Sequence, residues 1–223
     1  MKASATYLMV ALLVACGAPA SVLGSARREL MQGGDGPVAA PAGDSACLTP
    51  SDRSGYACMM TPPGLDAMTV HWLLGPVADE EAEGPTPGEG EISVLLNGTT
   101  TGWLSFAFAD EALQMNPADV VLGYVDDEGT AVVKAYKVLR KAISADDEDD
   151  TVELTGVSGS EVDGVTAIEY TRALDAGMFP IDPTAGPLRA NAAHGADGED
   201  GLIYHASNRV AFTADLVTGE VST

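Results

Sequence analysis

Cations are scarce in this chain. Its 11 Lys and Arg stand against 33 Asp and Glu, a formal net charge of −22 at pH 7. Nucleic acid is held by clustered Lys and Arg, so it is excluded as a partner, and anionic membrane surfaces are excluded for the same reason. Aromatic residues make up only 5% of the chain, so a core has first use of them. The three cysteines and three histidines show no CxxC, HxH or HxxxH spacing, which rules out a zinc site by motif. There is no nucleophile elbow, no P-loop and no GxGxxG after a strand. Acids are so numerous that no carboxylate pair stands out. These absences describe a module without its own catalytic site. Beyond residue 45 no apolar run approaches eighteen residues, so no transmembrane segment is expected there.

What is present begins with an export signal. Lys2 precedes a short apolar run, Tyr7 to Val14, and small residues follow at Ala18, Ala20, Gly24 and Ala26. Residues 1–26 therefore read as a signal peptide and the protein as secreted. Leu13-Val14-Ala15-Cys16 also fits a bacterial lipobox, in which Cys16 would carry a lipid anchor. Residues 27–45 are rich in Gly, Ala and Pro without hydrophobic period, a flexible leader. The domain itself is expected over 46–223. Cys47 and Cys58 flank a short polar loop and, in an oxidising compartment, are expected to form a disulfide.

From Ala67 onward short period-two runs alternate with Gly, Asn, Asp and Pro. They predict an all-β fold, a two-sheet antiparallel immunoglobulin-like sandwich of about nine strands. The runs are 68–74, 92–96, 102–109, 119–126, 130–138, 152–157, 164–174, 202–206 and 210–217. In Gly102 to Ala109 the alternation puts Leu104, Phe106 and Phe108 on one face. Asp119 to Asp126 is nearly continuously apolar and reads as a central strand. Asn97-Gly98-Thr99 is the only Asn-x-Ser/Thr sequon. It is expected at a strand-ending turn and glycosylated in a eukaryotic source. Ala145 to Asp150 (ADDEDD) lacks the Gly-centred alternation of a calcium loop and reads as a solvated turn.

The stretch Gly102 to Gly129, GWLSFAFADEALQMNPADVVLGYVDDEG, resembles the DOMON domain, an extracellular β-sandwich related to the cytochrome domain of cellobiose dehydrogenase. Tyr170-Thr-Arg172-Ala-Leu-Asp175 and the His205-x-x-Asn208-Arg209 segment extend the resemblance to roughly 67–219; Val210 stands where the family often has Gly. The resemblance implies haem b held between a loop Met and a His near the last strands. Met115 and His205 occupy those positions. Such a pair gives a six-coordinate iron of raised potential, suited to electron transfer. Arg172 and Arg209 are then the expected partners of the propionates, and the Leu104, Phe106, Phe108 face the expected slot. The resemblance also implies a redox partner protein or membrane cytochrome. His71, taken to lie opposite Trp72, and His194, taken to lie in a loop, are weaker candidates. The alternative function is a carbohydrate- or small-ligand-binding module using Trp72, Trp103, Tyr124 or Tyr136 as stacking surfaces, or a plain interaction module.

Overall fold

The computed structural model describes residues 47–75, 90–110 and 115–223. The signal peptide, the leader and Cys16 lie outside the described residues. The fold is the expected one: two antiparallel sheets packed face to face. Eleven strands are found among the described residues: β1 Cys58–Met60, β2 Met68–Gly75, β3 Glu91–Gly98, β4 Leu104–Ala109, β5 Ala118–Val125, β6 Ala131–Val138, β7 Leu154–Val162, β8 Val165–Ala173, β9 Leu188–His194, β10 Arg209–Ala214 and β11 Val221–Ser222. One sheet runs β1-β2-β3-β8-β7 and the other β11-β10-β9-β4-β5-β6. Among these residues no helix is long and apolar enough to cross a membrane.

The strand count corrects the expectation of about nine. The run 202–206 is not a strand, while β1, β9 and β11 went unread. The case of β9 is instructive. Its sequence, LRANAAH, is rich in alanine, which has low β-propensity. Yet it lies between β10 and β4, where the register sets Ala190 between Phe108 and Phe212, and Ala192 between Phe106 and Val210. Small side chains leave room for the flanking aromatics, and the interior packs to density that way. Both alanines are buried in the main core with Phe106, Phe108 and Phe212.

That core also takes Met68, Val70 and Trp72 from β2, and Ile168 and Tyr170 from β8. Trp72 Nε1 donates to the Leu216 carbonyl at 2.8 Å, so its polar edge is satisfied inside. In the β5–β6 turn Asp126 Oδ1 accepts from the amides of Glu128 and Thr130 (3.0 and 2.8 Å), and Gly129 takes a positive φ of 79°. The Cys47–Cys58 disulfide is formed, with Cα atoms 5.6 Å apart. The acidic loop 145–150 is folded on its own charges. Asp147 caps Ser144 and pairs with Arg140 at 2.8 Å, and Glu148 pairs with Lys134 at 2.6 Å. Among the described residues no cluster of His, Cys, Asp and Glu is arranged to hold a metal ion.

Candidate functional site on the outer face of the six-stranded sheet

A strand in a two-layer sandwich normally shows one face to the core and one to water. Strand β5 does not. Ala118 through Gly123 are all buried, because a second apolar cluster covers the sheet's outer face. That cluster contains Trp103, Ala107, Val120, Leu122, Tyr136 and Ala193, with Met115 and Ile143 packed against it. Cross-strand register explains its shape. One row reads Arg209, Ala193, Ser105, Leu122, and the next Ala211, Asn191, Ala107, Val120. The middle of the face is small and its flanks are large. The result is a hollow of about 200 Å³, adjoined by one of about 170 Å³. Trp103, Met115, Leu122, Ile143 and His205 line both.

The two residues singled out as an axial pair are thus brought to one cavity. Met115 is half-buried in the loop before β5, tied to the end of β6 by Asn116 Nδ2 donating to the Leu139 carbonyl (3.3 Å). His205 is buried, and it stands in the loop before β10 rather than in a strand. Its Nδ1 lies 3.1 Å from the Ala206 carbonyl. Arg209 Nη1 donates to that same carbonyl and lies 3.3 Å from Nδ1. A carbonyl oxygen only accepts, so the Ala206 contact puts the proton on Nδ1 and leaves the Nε2 lone pair free; the approach of Arg209 Nη1 to Nδ1 is then a contact and not a hydrogen bond. No hydrogen bond to Nε2 occurs among the described residues. Burial holds the His205 pKa below its ordinary value; the Ala206 hydrogen bond opposes this, and the Arg209 charge reinforces it. The imidazole is therefore neutral at physiological pH, the form that binds metals. Trp103 meets it edge-on, centroids 6.4 Å apart, and Tyr204 lies at 4.7 Å. Ala206 has a φ of 49°, a left-handed conformation that a non-glycine residue rarely adopts and that clusters at functional sites.

The other sequence-predicted residues are distributed as follows. Arg209 lines the cavity. Arg172 does not: it is 2% exposed in β8, donating to the carbonyls of Ala173 and Ala176. Burial works against its charge, and Tyr170, Asp119 and Asp149 support it. Leu104, Phe106 and Phe108 face the interior between the sheets, so the expected slot is on the wrong side of β4. Trp103, Ser105 and Ala107 line the cavity on its other side. His194 closes strand β9 rather than lying in a loop, and its Nδ1 lies 2.7 Å from the Gly195 carbonyl. His71 is indeed on the face opposite Trp72, but buried there, held by Ser51 Oγ at 2.9 Å and Thr69 Oγ1 at 3.3 Å. Asn97 is the penultimate residue of β3, not part of a turn. Trp72, Trp103 and Tyr136 are all buried, which removes them as exposed stacking platforms. Sequence reasoning missed Trp103, Val120, Leu122, Ile143 and Ala193 as cavity walls. The signal for them was the unbroken apolar run of β5, which demands cover on both faces.

Residues 88–185 match the family profile of the DOMON domain. The DOMON match spans just under half of the chain and includes Met115 and Arg172; His205 and Arg209 lie beyond it. Among solved structures, the cytochrome b domain of pyranose dehydrogenase from Coprinopsis cinerea is similar at a TM-score of 0.53 and 15% identity, over 72% of this chain and 82% of that one. The cytochrome domain of Myriococcum thermophilum cellobiose dehydrogenase gives 0.49 and 16%, over 67% and 74%. At such identities the first likeness speaks for the fold of the DOMON region and its flanks. No curated protein matches the sequence.

Proposed function

We propose that this chain is a secreted haem b-binding electron-transfer domain, with Met115 and His205 as the axial ligands. The observation that carries the reading is their meeting, from distant points of the sequence, in one apolar cavity on the outer face of the six-stranded sheet. The donor set fits the group. A thioether and a neutral imidazole with its Nε2 lone pair available are the pair that favours a low-spin iron of raised potential. When bound, haem supplies one-electron exchange. The chain's residues do the rest. The Ala206 carbonyl holds the proton on His205 Nδ1 and so fixes the tautomer that ligates. Trp103, Val120 and Leu122 give the hollow apolar walls. The small floor of Ser105, Ala107 and Ala193 gives a flat group room, and Arg209 offers a cation to its carboxylates at the rim. Such a domain has no catalytic site of its own and passes electrons to a partner protein or a membrane cytochrome.

The test is the visible spectrum of the purified protein expressed with ample haem. A Soret band with sharp reduced α and β bands is expected. A colourless protein that takes up no haem overturns the reading, and a melting temperature that then rises with oligosaccharides would point to a ligand-binding module.

A further inference from the structure

The outer face of the five-stranded sheet carries a second concavity, remote from the first in the chain's topology. Its floor is set by register: Asn97 of β3 lies beside Ala167 of β8, and Ala167 beside Ser160 of β7. Its wall comes from the loop that the Cys47–Cys58 bridge closes, which contributes Arg53 and Tyr56. The small residues at 160 and 167 leave a hollow of about 270 Å³. Asn97 opens into it half-buried, and its side-chain amide has no hydrogen-bond partner among the described residues. A sheltered, unpartnered amide is unfavourable unless something else satisfies it. Asn97 also begins the chain's one sequon, and Thr99 is exposed.

We propose that Asn97 carries an N-linked glycan and that its first sugar is seated in this groove against Tyr56. The covalent bond fixes where that sugar starts, and the groove begins at the same atom. Attachment joins Asn97 Nδ2 to the anomeric carbon of a lipid-pyrophosphate-linked oligosaccharide. The bond from that carbon to the pyrophosphate oxygen breaks, and Nδ2 gives one proton to a base of the transferring enzyme. Tyr56 then offers an aromatic face to the apolar side of the sugar ring, while Arg53 and Glu169 offer hydrogen bonds to its hydroxyl and acetamido groups. Burial, reinforced by the Glu169 carboxylate, pushes the Tyr56 hydroxyl up to about 12, so it serves as a neutral donor or acceptor. In this arrangement the disulfide loop is one wall of a glycan seat.

The test uses the full chain expressed in a eukaryotic host behind a host secretion signal. Intact mass should exceed that of Thr99→Ala by one glycan. The folded glycoprotein should resist the amidase that cuts the Asn–sugar bond, and release should speed up at least tenfold, by this proposal, in Tyr56→Ala or after reduction of the disulfide. Arg53→Ala, at an exposed position, should speed release as well and gives a second reading should Tyr56→Ala fail to fold. Equal masses for wild type and Thr99→Ala overturn the proposal. So does a glycan released equally fast from wild type, both variants and the reduced protein. Neither outcome depends on whether the opposite sheet takes haem.

Discussion

His205 and Arg209 converge on one oxygen, the carbonyl of Ala206. The sequence-based reading gave Arg209 the carboxylate edge of a cofactor. Its hydrogen bonds also tie it to the loop that presents the histidine, including Tyr204 Oη at 3.4 Å. Arg209→Gln should therefore loosen that loop and remove a positive charge close to His205. The reduction potential of the haem-loaded protein should fall by roughly 20–60 mV, since the exposed guanidinium is screened by solvent. Potentiometric titration checks the fall. Amide hydrogen exchange of 204–209 in the haem-free protein should quicken as well, and unchanged values in both would refute the link.

The proposed pairing of Met115 and His205 makes its own prediction. His205→Ala removes the nitrogen ligand, and haem should be lost or held loosely. Met115→His keeps two ligands but replaces thioether by imidazole, so haem should stay and the potential drop by roughly 100 mV or more. Met115→Leu should open a position to carbon monoxide, seen as a shifted Soret band. His71 and His194, outside the cavity, should tolerate substitution without spectral change.

His71 should instead report on stability against pH. Its pKa is lowered chiefly by burial, with Asp52 opposing and Arg53 assisting. The folded protein thus binds this proton less readily than the unfolded chain does. Stability from His71 is fully present above the ordinary value of 6.5, and is lost as pH falls below it toward the depressed folded value. Melting temperatures measured from pH 8 to 5 should decline in the wild type. The decline should be shallower in His71→Gln, and parallel curves would contradict the assignment.

The Cys47–Cys58 bridge closes a short loop across one sheet edge, where Leu48 N donates to the Thr218 carbonyl at 2.6 Å. The double substitution Cys47→Ser, Cys58→Ser should cost about 2–3 kcal/mol of stability. Denaturant titration measures the loss. Thiol titration of the unfolded, unreduced protein should find neither cysteine of this pair free.

Much of the architecture was legible because it rests on alternation and turn chemistry. The runs of β2, β3, β5, β6 and β8 were read directly. What escaped was whatever depends on neighbours in space. Strand β9 hides behind alanines that make sense only between Phe108 and Phe212. Alternation shows that Leu104 and Trp103 lie on opposite faces of β4, yet it cannot say which face looks inward. The cavity was therefore assigned to the wrong side. His205 was placed in a strand since Leu202, Ile203 and Tyr204 look like one, but they are exposed residues of a loop. The Met115–His205 pairing was visible only through the DOMON resemblance, for nothing local in either segment points to the other.

Among the described residues the buried apolar side chains fall into two clusters, one between the sheets and one outside them. An occupant of the outer hollow would rest on a finished floor, since the strands beneath are already held by Phe106, Phe212 and Ile168 from the inside. Folding and the loading proposed above would thereby be uncoupled. A chain built this way would be folded before any occupant arrives, and the loss of an occupant would leave it folded.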